Sequence, residues 1–90
     1  MNPEQVRQIE IQLEDLFKQL AEQQRAKTIE VAHRIRPDLS EDDLRDPHSF
    51  PEVTHRYEWA FEDGILAGII SSQSAVMCEL RKLLEEDKSG

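Results

Sequence analysis

Glu30 and His33 form an E-x-x-H motif, a pattern of residue types that can bind a transition metal. Residues three apart are neighbours on a helix surface, so both side chains would share one face of a helix. In helical bundles, two such motifs together with two further glutamates can hold a pair of iron or manganese ions. Glu58 or Glu62 would supply the extra ligand here, and we take Glu62 for the candidate set. The alternative is that Glu30 and His33 lie on a solvated face beside Arg34.

The other chemically reactive residues give no pattern for catalysis. His48 and His55 are seven residues apart, a separation that matches no compact zinc motif. Cys78 lies deep in a predicted helix without an adjacent base or cation to stabilise a thiolate, which favours a small core residue. No glycine-rich phosphate loop or G-x-S-x-G motif occurs. We therefore predict no catalytic residues and no bound cofactor, with iron or manganese only under the metal-binding hypothesis.

Composition excludes several classes of protein. The chain has 90 residues, a formal net charge of −8 and a single cysteine. Nucleic-acid binding proteins use lysine and arginine to neutralise phosphates, so the negative net charge argues against nucleic-acid binding. One cysteine cannot build a disulfide framework, and the N-terminal residues do not resemble a signal peptide, so we expect a cytoplasmic protein. The uncharged stretch 64–78 is too short for a membrane span and is interrupted by polar residues at 71–74.

Two long helices are predicted to carry these residues. Asn2, Pro3 and Gln5 form a helix start with a capping box, and Pro37 ends the helix, giving helix 1 over about 3–35. Its apolar stripe fades in the middle, where the spacing is better described by positions 20, 24, 28 and 31. Helix 2 is predicted over about 56–86, followed by a disordered tail at 87–90. The whole chain, 1–90, is one domain of the all-α class.

Residues 36–55 are predicted to be an ordered acidic connector between the two helices. Residues 36–63 contain three basic and nine acidic side chains, a net charge of −6. Ser40 is a good N-cap, so we expect a short helical turn near 41–45. Apolar and aromatic residues near the connector are candidates for binding another protein, because aromatic side chains are favoured at interface hot spots. These candidates are Leu44, Phe50, Tyr57 and Trp59. The alternative is that they close the end of a bundle.

Helix 2 presents two seams at helical spacing, and one hairpin partner can cover only one of them. The small-residue seam consists of Tyr57, Phe61, Gly64, Gly68, Ser71, Ala75 and Cys78. The large-residue seam consists of Trp59, Glu62, Leu66, Ile69, Gln73, Val76, Leu80 and Leu83. Helix 1 has a single apolar stripe, so the other seam would face water together with Ile65, Ile70 and Met77. A polar residue at Gln73 would set the register of the packing.

A second copy of the chain is the simplest cover for the remaining seam. Two hairpins would form a homodimeric four-helix bundle with helix 2 at the centre. Small residues allow close approach of two helix backbones, so the predicted dimer interface is Gly64, Gly68, Ser71, Ala75 and Cys78. A local bend of the helix is the alternative explanation of the two glycines. A monomer whose connector covers the seam, or insertion into another protein's helices, are the alternatives. The function that we expect is a non-enzymatic interaction or assembly module.

Overall fold

The computed structural model describes residues 2–89, with side chains described through residue 86. It shows the predicted all-α helical hairpin, in which two long helices are joined by three short helical elements. The elements are α1 (Pro3–Ile35), α2 (Glu41–Leu44), a 3₁₀ turn (Pro47–Ser49), α3 (Pro51–Thr54) and α4 (Tyr57–Ser89).

The two ends of α1 are confirmed where the sequence predicts them. The Asn2 side chain accepts a hydrogen bond of 2.8 Å from the Gln5 backbone N–H, and the Gln5 side chain accepts one from the Asn2 backbone N–H. This reciprocal pair satisfies donors that a helix start otherwise leaves free. The helix ends at Ile35 because Pro37 disfavours helical geometry at Arg36.

The connector is ordered by similar local chemistry. Ser40 and Asp43 form a second capping box, which begins α2 inside the predicted turn. Pro51 occupies the first turn of α3, where its missing N–H costs nothing. At the other end of the chain, α4 continues to Ser89, so residues 87–89 are helical where a disordered tail is expected. Gly90 lies outside the described residues.

The long helices run antiparallel and form a narrow rod. Arg7 and Ile11 near the start of α1 share a shallow groove with Arg81 and Leu84 near the end of α4. The principal extents of the molecule are 57 × 18 × 17 Å. A helix of 33 residues is roughly 50 Å long, so the two helices lie alongside each other over most of this length.

The hydrophobic core lies at the connector end of the rod. Its buried members come from every helix of the hairpin and are Val31, Ala32, Leu44, Val53 and Trp59. Four partly buried side chains pack around them, namely Ile29, Ile35, Leu39 and Phe50. Towards the other end of the rod, burial is limited to separate residues such as Val6, Leu66 and Met77. The connector is therefore part of the core, and it holds the two long helices together.

Candidate interaction surface

The large-residue seam of α4 is the one that packs against α1. Trp59 and Leu66 are buried, while Ile69, Val76 and Leu80 are half-buried. Met77 is also buried, which corrects the expectation that it faces water. Ile65 and Ile70 are exposed as expected. Met77 neighbours the large-residue seam on the helix surface, and its long flexible side chain reaches the contact with α1.

The small-residue seam is exposed along its whole length. All seven of its residues, from Tyr57 to Cys78, are exposed in the single chain. The stretch 64–78 contains no charged residue, and its polar side chains are confined to positions 71–74. The two seams of α4 therefore differ as the sequence predicts: the large-residue seam packs against α1, and the small-residue seam is exposed.

Nothing within the chain explains the two glycines of this seam. A Cβ atom added at Gly64 or Gly68 would meet no atom within 4 Å. Among the described residues, no glycine has a positive φ, so the backbone does not require glycine at either position. Glycine inside a helix costs about 1 kcal/mol relative to alanine. Two such residues therefore lower helix stability without any gain in packing inside the hairpin.

An exposed aromatic pair continues the seam at the N-terminal end of α4. Tyr57 is 77% exposed and Phe61 is 56% exposed. Their rings are tilted at 34° with centroids 6.3 Å apart, so the two side chains lie side by side on the exposed face of α4. Large aromatic side chains in such positions are typical anchors of protein–protein interfaces.

The predicted partner-binding residues of the connector have a different role. Leu44 and Trp59 are buried and belong to the core, and Phe50 packs against that core. Leu44 and Trp59 are not accessible to another protein in the single chain, whereas Phe50 is half-buried, and this arrangement favours the alternative that these side chains close the bundle end. Tyr57 alone of the four is exposed. His48 and His55 are exposed as well.

Arg36 ties the connector to the end of α1. Its guanidinium donates two hydrogen bonds, of 2.9 and 2.8 Å, to the Asp38 carboxylate and forms an ion pair with Glu52 of α3. It also lies 5.8 Å from the centroid of the Phe50 ring, within range of a cation–π contact. The hydrogen bonds from Arg36 lower the pKa of Asp38 to about 2 and raise the pKa of Arg36.

A polar contact that sequence reasoning missed lies between the two long helices. Gln24 is only 6% exposed, and its side-chain amide donates hydrogen bonds to the backbone carbonyl and the carboxylate of Glu62. Thr28, one turn further, is buried and donates to the Arg25 carbonyl at 2.6 Å. The helical spacing of positions 24, 28 and 31 predicts that these residues face inward. Gln24 and Thr28 are polar, so an apolar pattern alone does not identify them as buried.

No protein family, curated protein or solved structure matches this chain. What the surface does must therefore be inferred from its geometry.

The candidate metal ligands are not brought together within one chain. Glu30 and His33 line an open groove of about 740 Å³ between α1 and α2, next to Leu44 and Arg45. Glu62 instead faces the opposite side of α1, where it binds Gln24. Among the side chains that the structure describes, those of residues 2–86, no group of three or more histidine, cysteine or acidic residues is placed to hold a metal ion.

The uncharged stretch of α4 does not make the helix a membrane span. Over the part of the chain that the structure describes, neither long helix has the length of apolar sequence needed to cross a bilayer.

Proposed function

We propose that this protein is a helical assembly module that forms a homodimeric four-helix bundle through the small-residue seam of α4. The observation that carries the proposal is the pair of glycines, Gly64 and Gly68, on an exposed and uncharged helix face. Their cost to helix stability is offset if a second helix approaches the backbone closely there, since glycine leaves room for that approach.

The size of the core supports a partner. Only eight apolar residues are buried in the described chain, and five of them cluster at one end of the rod. Small chains bury a modest fraction of their surface on folding and commonly gain stability from oligomerisation. Covering Tyr57, Phe61 and Ile65 in a dimer would bury apolar side chains that are exposed in the single chain.

We place this module in the cytoplasm. Cys78 is a free thiol that lies exposed on the small-residue seam. In an oxidising compartment an exposed thiol is prone to mixed disulfides, whereas the cytoplasm keeps thiols reduced. Binding of a further protein by the acidic connector stays a prediction; of its four candidate residues, Tyr57 is exposed and Phe50 is half-buried.

The substitution Gly68→Leu tests the proposal. We expect the wild-type chain to have twice the monomer mass in light scattering after gel filtration at micromolar concentrations. A leucine at this position would overpack a close helix contact, which typically costs about 1–3 kcal/mol, and should shift the chain to monomer. Leucine has a higher helix propensity than glycine, so circular dichroism should show undiminished helix content in the variant.

Gln12→Leu is the matched control, because it adds a leucine at an exposed position of α1 away from the seam. This variant should keep the dimer mass. A wild-type chain that is monomeric across the micromolar range would refute the assembly role. A Gly68→Leu chain that dimerises as well as wild type would place the interface elsewhere.

A further inference from the structure

The geometry points to an antiparallel dimer in which a two-fold axis crosses the paired α4 helices between positions 69 and 70. This inference rests on the proposed dimerisation and adds its direction and register. The seam extends by one further step of four to Lys82, which is exposed. The extended seam then has eight positions, which follow steps of 4-3-4-3-4-3-4 and so have the same spacing in both directions. The positions are 57, 61, 64, 68, 71, 75, 78 and 82.

A two-fold axis at the centre of this pattern exchanges the two halves of the seam. Each residue of one half then lies opposite a residue of the other half in the second copy. The opposed positions are 68 with 71, 64 with 75, 61 with 78, and 57 with 82.

The sizes of the side chains favour this pairing over a parallel one. The N-terminal half of the seam has the two exposed aromatic residues, Tyr57 and Phe61, and the C-terminal half has Ala75 and Cys78. Antiparallel pairing sets Phe61 against a small side chain, as close packing requires. Parallel pairing sets Phe61 against its own copy. Two opposed rings would hold the helices apart and leave a gap between the small residues further along the seam.

The distribution of charge favours the same direction. Residues 36–63, at the connector end of the rod, have a net charge of −6. A parallel dimer would bring two such ends together, whereas in this antiparallel register the two copies of Tyr57, at the start of α4, are 25 residues of helix rise apart, roughly 38 Å. This separation exceeds several Debye lengths at physiological salt, so the repulsion would be screened.

Antiparallel pairing also gives the exposed charge at the end of the seam a contact across the interface. Lys82 is exposed and forms an ion pair of 3.8 Å with Glu79. In the dimer its ammonium would lie near the exposed ring of Tyr57 in the second copy and close to the acidic connector end. A lysine over an aromatic ring is a favourable cation–π contact.

Thiol crosslinking of the full-length chain tests the direction. In an antiparallel dimer the two Cys78 residues are 17 residues of helix rise apart, roughly 25 Å, so a crosslinker with a reach of one helix diameter should not join them. In the variant Ser71→Cys with Cys78→Ser, the two thiols flank the two-fold axis, and the same reagent should join them efficiently. Light scattering on both samples establishes first that each is dimeric.

A third variant tests the register. Phe61→Cys in a chain that keeps Cys78 should form, under mild oxidation, a disulfide that joins position 61 of one copy to position 78 of the other. Peptide mapping identifies the linked pair, whereas a 61–61 or 78–78 linkage indicates parallel helices.

The outcomes separate this inference from the proposed function. Efficient crosslinking of Cys78 in a dimeric wild-type chain would overturn the antiparallel arrangement and leave the dimer itself standing. A dimer in which neither sample crosslinks would show that α4 is not the interface. A monomer by light scattering would refute both proposals together.

Discussion

The hydrogen bonds between Gln24 and Glu62 show how a single polar residue can align two helices. Gln24 is buried in a contact that is otherwise largely apolar, and it has partners only in one alignment of α1 with α4. Sliding either helix by one turn would bury the amide without an acceptor, which costs about 1–3 kcal/mol. We expected Gln73 to have this role. The spacing of the helix 1 stripe places Gln24 inward, but the sequence could not identify its partner, which lies 38 positions away.

Gln24→Leu should therefore destabilise the hairpin by about 1–3 kcal/mol, since it leaves the half-buried Glu62 carboxylate without its donor. Urea unfolding followed by circular dichroism measures the change. Gln23→Leu makes the same substitution at the neighbouring exposed position and should change stability by less than about 0.5 kcal/mol. Equal effects for the two variants would show that the buried amide does not contribute.

Asp38 makes the hairpin sensitive to acid. Its pKa is about 2 in the folded chain, because of the hydrogen bonds from Arg36, and 3.8 is the ordinary value. The folded state therefore holds the charged form more strongly, and this contribution is present above about pH 4 and is lost as the pH falls towards 2.

Asp38→Asn should lower the thermal midpoint at pH 6 and reduce its decline between pH 4 and pH 2. Thermal unfolding across this range gives the comparison. Asp42→Asn removes a carboxylate at an exposed position of α2 and serves as the control, which should keep the wild-type decline. An unchanged decline in Asp38→Asn would mean that the ion pair with Arg36 does not couple to folding.

At the scale of elements, local sequence signals were sufficient for the boundaries of α1 and the start of α2, whereas the exact packing of the connector depends on the fold. The capping boxes at Asn2 and Ser40 involve residues three apart, so both can be identified without knowledge of the fold. The 3₁₀ turn and α3 are stabilised by packing of Phe50 and Val53 against the core, and the apolar side chains of an otherwise acidic connector are the signal for this packing. The same long-range packing buries Leu44 and Trp59.

Leu44→Ala should cost about 2–5 kcal/mol, because it removes a buried side chain from the core that joins the connector to α1. This is a large share of the stability of a small domain, so the variant should unfold at a clearly lower urea concentration. Leu16→Ala changes an exposed leucine of α1 and should have little effect. Similar losses in both variants would mean that the connector does not anchor the hairpin.

At the scale of the whole molecule, a rod with its core at one end and an open seam along one side is expected to depend on a partner. The division of α4 into a covered and an open face follows from helical periodicity, so sequence predicts it well. Which residues at the edge of the faces become buried, as Met77 does, depends on side-chain length and on the final helix alignment. Helical periodicity alone determines neither the side-chain length nor the helix alignment.

If the seam is a dimer interface, unfolding must be coupled to dissociation. The thermal midpoint should then rise with total protein concentration, because mass action favours the dimer at high concentration. Scans at about 2 and 200 µM would show this directly. For Gly68→Leu the midpoint should be independent of concentration, whereas a concentration-independent midpoint in wild type would argue for a stable monomer.

The uneven core also determines how the molecule opens. Every residue of the core cluster lies next to the connector, whereas the free ends of α1 and α4 are joined by separate contacts such as Val6 and Met77. Those ends can separate while the cluster stays intact, so amide hydrogen exchange should be fastest there and slowest around Val53. Proteases that cut exposed segments would accordingly trim the hairpin from its termini and leave a connector-centred fragment.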